Sequence, residues 1–145
     1  MSALPEPLAQ ALEALDLLPD RADRIEALIA LADRFREVSP EVASRPFPES
    51  HRVPGCESEA FVWVLDRPDG ALQLEFAVEN PQGVSAKALA ALLDRSLSGL
   101  PAEDVARVSP DVVYRVFGTE LSMGKSMGLM AMVSRVRDLA LQRVR

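Results

Sequence analysis

The sequence has very few of the residues that bind metals or form disulfides. It contains one cysteine, Cys56, and one histidine, His51, among 145 residues. A lone cysteine excludes an internal disulfide. Structural zinc needs four nitrogen or sulfur ligands, and iron–sulfur clusters are held by several thiolates. We therefore expect no bound metal and no other cofactor.

Aromatic residues and long apolar runs are also scarce. Aromatics make up 5% of the chain, so the core must be built mainly from Leu, Val, Ala and Met. No apolar run approaches the roughly 18 residues that cross a membrane. The first ten residues carry Glu6 and two prolines where a signal peptide has basic and apolar regions. With the single cysteine, these absences favour a cytoplasmic protein without membrane contacts.

Positive charge is limited as well, since the formal net charge is -6. An acidic surface repels phosphate backbones, so we expect no nucleic-acid partner. Four arginines near the end of the chain are interpreted as a solvated helix end, where cations suit the helix dipole: Arg135, Arg137, Arg143 and Arg145.

Hydrophobic periodicity predicts helices on both sides of a central hairpin. Asp20, Ser85 and Ser109 are the expected N-caps, and Gly99 and Gly118 are expected to follow helix ends. The predicted helices cover residues 6–18, 20–38, 86–98, 110–117 and a long segment within 122–144.

Two of these helices have a clear apolar face. The face of the 20–38 helix is expected to comprise Ile25, Leu28, Ile29, Ala32 and Phe35. That of the last helix is expected to comprise Leu129, Met132 (or Met130), Val133, Val136, Leu139 and Ala140.

The hairpin is predicted by two apolar segments, 58–66 and 71–78, around the turn sequence "RPDG". Apolar residues alternate along the second segment, which indicates one buried face. Two strands alone are only marginally stable, so helices must cover them, and residues around 51–53 offer a short third strand. The expected fold is one α+β domain over 1–145, a small antiparallel sheet packed on helices in two layers.

Two catalytic interpretations of the rare residues are disfavoured. His51 and Cys56 lie in one short loop, whereas cysteine proteases bring nucleophile and base together from distant segments. The sequence "SMGKSMG" (122–128) resembles the end of a phosphate-binding loop, but the first glycine of that motif is absent.

Cys56 itself admits two interpretations. Free cysteines are often buried and inert. Against this, Cys56 ends an irregular, proline-rich stretch (39–57), and Gly55 and Arg52 beside it favour an approachable thiol. Glu57 and Glu59 nearby disfavour a thiolate, so the residues alone leave both interpretations open.

Two motifs resemble the SufE family of sulfur acceptors. The segment "VPGCESEAFVWV" is similar to the family pattern V-x-G-C-x-S-x-V-W, and "LSMGKSMGLMAM" to L-[ST]-x-x-R-x-x-G-[LI]-x-x-M. The element order also matches along nearly the whole chain. Three positions differ: Phe61 stands at the family's tryptophan with Trp63 two residues later, Lys125 replaces an arginine, and Glu79 fits the family's acidic position only loosely.

The resemblance implies a two-layer fold like those of SufE and IscU and a carrier function. Cys56 would take persulfide sulfur from a SufS-like cysteine desulfurase, stimulate it, and pass the sulfur towards a SufB-like iron–sulfur scaffold. We expect Cys56 to be tucked against the hairpin and a helix at rest, and Trp63 to pack in the core. Supporting roles are expected at the partner or anion site for Lys125, Gly55, Arg52 and His51. The alternatives are an interaction domain with an inert cysteine and sulfur delivery to another thiolation pathway.

Overall fold

The computed structural model describes residues 3–118 and 121–144 and has an α+β architecture, as predicted. Of the predicted domain over 1–145, residues 1–2, 119–120 and 145 lie outside this description. The elements are α1 (Glu6–Asp16), α2 (Arg21–Asp33), a 3₁₀ turn (Glu49–His51), β1 (Ala60–Asp66), β2 (Leu72–Val78), α3 (Val84–Leu97), α4 (Ala102–Val105), α5 (Val112–Phe117) and α6 (Met123–Leu141).

The predicted hairpin is confirmed. β1 and β2 pair antiparallel with Val62 opposite Phe76 and Val64 opposite Leu74. Because side chains alternate along a strand, these four residues share one face. β2 lies on α3 and β1 lies on α6, so this face forms the centre of the main core.

The opposite face of the sheet is buried as well. The expectation that only one face is buried was therefore wrong. The proline-rich segment before the hairpin crosses it and places Phe47 against Phe61 and Trp63, with ring centroids 5.2 and 5.4 Å away. Trp63 is therefore buried, as predicted, but in this second cluster and not under the helices. The cluster comprises Val38, Phe47, Phe61, Trp63 and Ala77.

Arg45 fastens this cover to the sheet. Its guanidinium pairs with Glu37 and with Glu79, the latter at 3.1 Å, and lies 5.1 Å from the Phe47 ring centroid. The hydrogen bond with Glu37, which has the larger effect, and the hydrogen bond with Glu79 raise the pKa of Arg45 above its ordinary value. Glu79, the loose match to the family's acidic position, thus holds the cover at the end of β2.

α2 is shorter than predicted and presents a different face. Its N-cap is Asp20, as expected, but the helix ends at Asp33 and not at 38. The chain then turns so that the Val38 N–H donates to the Phe76 carbonyl at 2.7 Å. Tertiary pairing with β2 thus overrides the helical periodicity.

The expected apolar face of α2 was wrong in part. Leu28 and Phe35 pack against the core, together with Ala27 and Leu31, which were not on the predicted face. Ile25 and Ile29 are 45% and 48% exposed.

Other elements also differ from the predictions. α1 ends at Asp16 and not at 18. Gly83, not Ser85, is the residue preceding α3. α5 begins at Val112 because the Ser109 hydroxyl accepts from the Asp111 N–H and closes a turn first. The third strand is reduced to one bridge between Arg52 and Phe61, because Pro54 has no N–H to continue a ladder.

α6 follows the prediction closely. It begins after Ser122, and its buried residues include Leu129, Met132, Val133, Val136 and Ala140, with Leu139 partly buried. None of the helices in the described ranges is long and apolar enough to cross a membrane.

Candidate functional site

Cys56 lies at the tip of a short loop, residues 54–59, called here the thiol loop. The base of the loop is closed by the Val53 N–H, which donates to the Ala60 carbonyl at 2.8 Å. The Glu59 N–H donates to the Cys56 carbonyl at 3.1 Å, which tightens the turn. Gly55 and Glu59 have positive φ values of 67° and 53°. Such angles suit glycine but strain glutamate, so the loop is held in this shape by its surroundings.

One anchor of the thiol loop is the connection between β2 and α3. The Asn80 side-chain amide donates to the Glu57 carbonyl at 3.1 Å, and the Asn80 N–H donates to the Ser58 carbonyl at the same distance. The Glu79 N–H adds a bond to the Glu59 carbonyl. Three consecutive carbonyls of the loop are thus satisfied by this connection.

The other anchor is the first part of α6, where two glycines lie one helical turn apart. A Cβ atom on Gly128 would lie 3.1 Å from the Cys56 Cα and 3.3 Å from the Gly55 carbonyl oxygen. A Cβ on Gly124 would lie 3.3 Å from the Glu57 carboxylate. Glycine inside a helix is unfavourable, and here it permits the thiol loop to touch the helix backbone.

These two anchors bury the thiol. Cys56 is 8% exposed and belongs to the main core, so the tucked position expected at rest is found. The remaining cleft encloses about 10 Å³, the lower limit for one water molecule. It is lined by Cys56, Glu57, Ser58, Gln82, Gly83, Ser85, Lys125, Gly128 and Leu129.

Lys125 lines this cleft together with Cys56. The Ser122 hydroxyl accepts from the Lys125 N–H at 3.2 Å, which fixes Ser122 as the N-cap and Lys125 in the first turn of α6. The predicted long helix within 122–144 is confirmed, and it begins at Met123. The lysine is exposed, and no ion pair is formed by its ammonium within the described residues.

His51 and Arg52 are not brought to the cleft. His51 Nδ1 lies 3.0 Å from the Val62 carbonyl oxygen, and its ring stacks on Trp63 at 5.1 Å. Arg52 lies 3.8 Å from Glu59 and 5.7 Å from the Phe61 ring centroid. Both residues support the second cluster at the base of the thiol loop. A role for either in the chemistry stays a prediction.

The sequence reasoning missed Asn80, Gly124 and Gly128. Both glycines lie in the segment "SMGKSMG", and the motif alone predicts no role for them. Their spacing was the available signal, since two glycines four residues apart on one helix face indicate a close backbone approach. Among the described residues, no three His, Cys, Asp or Glu side chains are grouped in a way that could hold a metal ion.

Comparison with known proteins covers nearly the whole chain. A hypothetical protein from Thermus thermophilus, solved in solution, superposes with a TM-score of 0.77 and 29% sequence identity, covering 97% of this chain and 98% of that one. No curated protein matches the sequence. The family description of SufE, a domain associated with Fe–S metabolism, matches residues 9–140, which include both the thiol loop and the start of α6. The chain therefore belongs to the SufE family.

Proposed function

We propose that the protein accepts sulfur from a cysteine desulfurase onto Cys56, stimulates that enzyme, and delivers the sulfur to iron–sulfur cluster assembly. The observation that carries the proposal is the position of Cys56, the only thiol in the sequence, at the tip of an anchored loop beside Lys125. The family's association with Fe–S metabolism supports the same conclusion.

The chemistry is an exchange between two sulfur atoms. The Cys56 thiolate attacks the outer sulfur of the donor's cysteine persulfide. The donor S–S bond breaks as the new S–S bond to Cys56 forms, and the donor cysteine leaves as a thiolate. No external oxidant or reductant is needed. A second thiol within reach would attack the new persulfide and release sulfide, and this sequence has no second cysteine.

Transfer requires the thiol loop to leave its resting position. A cleft of about 10 Å³ cannot admit another protein's cysteine. Opening would break the Asn80 hydrogen bonds and relieve the positive φ at Glu59. The donor's contacts with the opened loop must offset those losses.

We expect the thiol to react slowly with a maleimide in the isolated protein and at least several-fold faster when a matched desulfurase is bound, because only the open loop exposes Cys56. The rate is measured by intact mass with the desulfurase's own reactive cysteine blocked beforehand. Rapid labelling at equal rates in both states would contradict a loop that opens on binding.

Lys125 is proposed to stabilise the sulfur anion during transfer. It lines the cleft with Cys56 and lies in the first turn of α6, where the helix dipole also favours an anion. Lys125 stands where the family pattern has an arginine. A lysine ammonium acts as a point charge, so the proposed role does not need the bidentate contact that arginine can make.

Lys125→Gln should slow sulfur transfer by about fivefold, since a charge a few ångströms from another across water contributes about 1 kcal/mol. Lys125→Arg, the residue typical of the family, should retain most of the rate. Single-turnover transfer from a persulfidated desulfurase gives the measurement. If Lys125→Gln transfers as fast as wild type, the lysine has no part in the step.

The partners that follow from this proposal are a SufS-like desulfurase upstream and a SufB-like scaffold downstream. An exposed persulfide needs a reducing compartment such as the cytoplasm, since the thiol is otherwise open to oxidation.

A further inference from the structure

Exposed apolar side chains are grouped on α2, the start of α3 and the start of α6, and the last two elements also line the thiol cleft. Of ten large hydrophobic residues exposed in the described chain, five lie on the start of α6, on α2 or at the start of α3. Single exposed apolar residues are common, but a group of them beside a reactive site indicates an interaction surface. The five are Ile25, Ile29, Val84, Met123 and Met127.

Three of them border an open groove, called here the α2–α3 groove. Its volume is about 270 Å³, below the roughly 300–1,000 Å³ of small-molecule sites. This size suits one or two large side chains from another protein. The large apolar residues that line it are Ile25, Leu28, Ile29, Val84, Phe117 and Leu121.

The α2–α3 groove is continuous with the thiol cleft. Ser85 lines both, and Val84 in the groove follows Gly83 in the cleft. On the other side, Leu121 in the groove is two residues before Met123. A protein bound over the thiol cleft on this side would therefore lie next to the groove.

Met123 and Met127 extend this surface along α6. They are 78% and 63% exposed and lie one turn apart, so they share a helix face. Each precedes one of the glycines that touch the thiol loop. Methionine adapts its shape to a partner, which suits a surface beside a loop that moves.

Charge identifies the chemistry of the partner. The sequence has only two lysines, Lys87 and Lys125, and neither forms an ion pair within the described residues. Lys125 lines the cleft, and the Lys87 N–H donates to the Gly83 carbonyl one turn away. Most ion pairs of this acidic chain use arginine instead, as at Arg45 and Arg115. The two lysines thus lie on the two helices that border the cleft, α3 and α6, and this placement favours a partner with carboxylates there.

A second copy of the chain is the less suitable occupant. In a two-fold contact the same patch meets itself, so the lysines of one copy would approach those of the other. The donor has no such restriction, and it must visit the adjoining cleft in any case.

We propose that the α2–α3 groove and the pair Met123 and Met127 form the docking surface for the sulfur donor. The donor inserts a large apolar side chain into the groove and places carboxylates near Lys87 and Lys125. The proposal rests on the function proposed above, because it takes the desulfurase as the protein that loads Cys56.

The test uses Ile29→Asp and Met127→Asp with Leu141→Asp as the control, because Leu141 is 51% exposed at the far end of α6. Binding to a matched desulfurase is measured by calorimetry. Both surface variants should bind about tenfold or more weakly, as expected for loss of an interface anchor, and the control should bind like wild type. Met127→Lys should lose less affinity than Met127→Asp, because the partner's carboxylates repel only the second.

Loading by inorganic polysulfide separates the two proposals. All variants should gain sulfur on Cys56 from this small donor at the wild-type rate, since the docking surface is not needed.

If Ile29→Asp and Met127→Asp bind the desulfurase like wild type, the docking proposal is wrong and the sulfur-acceptor function stands. If wild type gains no sulfur from the desulfurase, the proposed function fails and the docking proposal fails with it. Wild-type dimers that Ile29→Asp dissociates, with unchanged desulfurase affinity, would assign the groove to a second copy and overturn the proposal.

Discussion

Replacing Cys56 by serine is expected to reduce alanine release by a matched desulfurase to the rate of the enzyme alone. Serine has no sulfur to receive the transferred atom, so the donor persulfide persists and blocks further turnover. Wild type should raise the rate in the presence of cysteine and a mild reductant. The measurement is the initial rate of alanine formation at equal concentrations of the two proteins.

Cys56→Ala provides the matched second variant. Cys56 is buried in the main core, where a hydroxyl without a partner is unfavourable, and alanine avoids that difficulty. Both variants should melt as cooperatively as wild type and still bind the desulfurase. Stimulation by either variant equal to that by wild type would contradict transfer through Cys56 and favour an interaction domain with an inert cysteine.

Replacing Gly128 by valine is expected to expel the thiol loop from its resting position. The first added atom already lies 3.1 Å from the Cys56 Cα, and backbone cannot rotate away as a side chain does. Overpacking of this kind costs about 1–3 kcal/mol. Each 1.4 kcal/mol changes a population about tenfold, so maleimide labelling of Cys56 should accelerate by about tenfold or more.

Gly124→Val is the control for this experiment. It makes the same change one turn earlier on the same helix, but its Cβ meets only the end of the Glu57 side chain, at 3.3 Å, which can move aside. Its labelling rate should stay near that of wild type. Equal acceleration in both variants would mean that loosening of α6, and not contact at Gly128, exposes the thiol.

The sequence predicts best where local chemistry and tertiary packing agree. Asp20 precedes α2 as the predicted cap, because its side chain accepts from the Asp23 N–H in the first turn of the same helix. The alternation along β2 likewise identified the residues that face the helices. These features depend on neighbours in the sequence and need no knowledge of the rest of the fold.

The shift of tryptophan from the family position has a simple structural explanation. Phe61 and Trp63 are two residues apart on β1, so both point to the same face of the sheet. Their rings lie 6.2 Å apart in one cluster with Phe47. Moving the tryptophan by two residues therefore keeps it on the same face, whereas a shift by one would have moved it under the helices.

The rest of the site could not be read from local patterns. Asn80 bonds to the thiol loop from 23 residues away along the chain. Gly128 packs against the same loop from α6, which is further still along the sequence. The end of α2 at Asp33 and the exposure of Ile25 and Ile29 depend on pairing with β2 and on the groove beside α3. Each of these features is set by contacts between distant segments, and periodicity carries no information about them.

The most direct test of sulfur transfer is the intact mass of the protein after incubation with a matched desulfurase and cysteine. We predict a gain of about 32 Da, one sulfur atom, on Cys56, which a stronger reductant removes. Cys56→Ala should gain nothing under the same conditions. A wild-type protein of unchanged mass, whose Cys56 still alkylates fully after denaturation, would contradict the account.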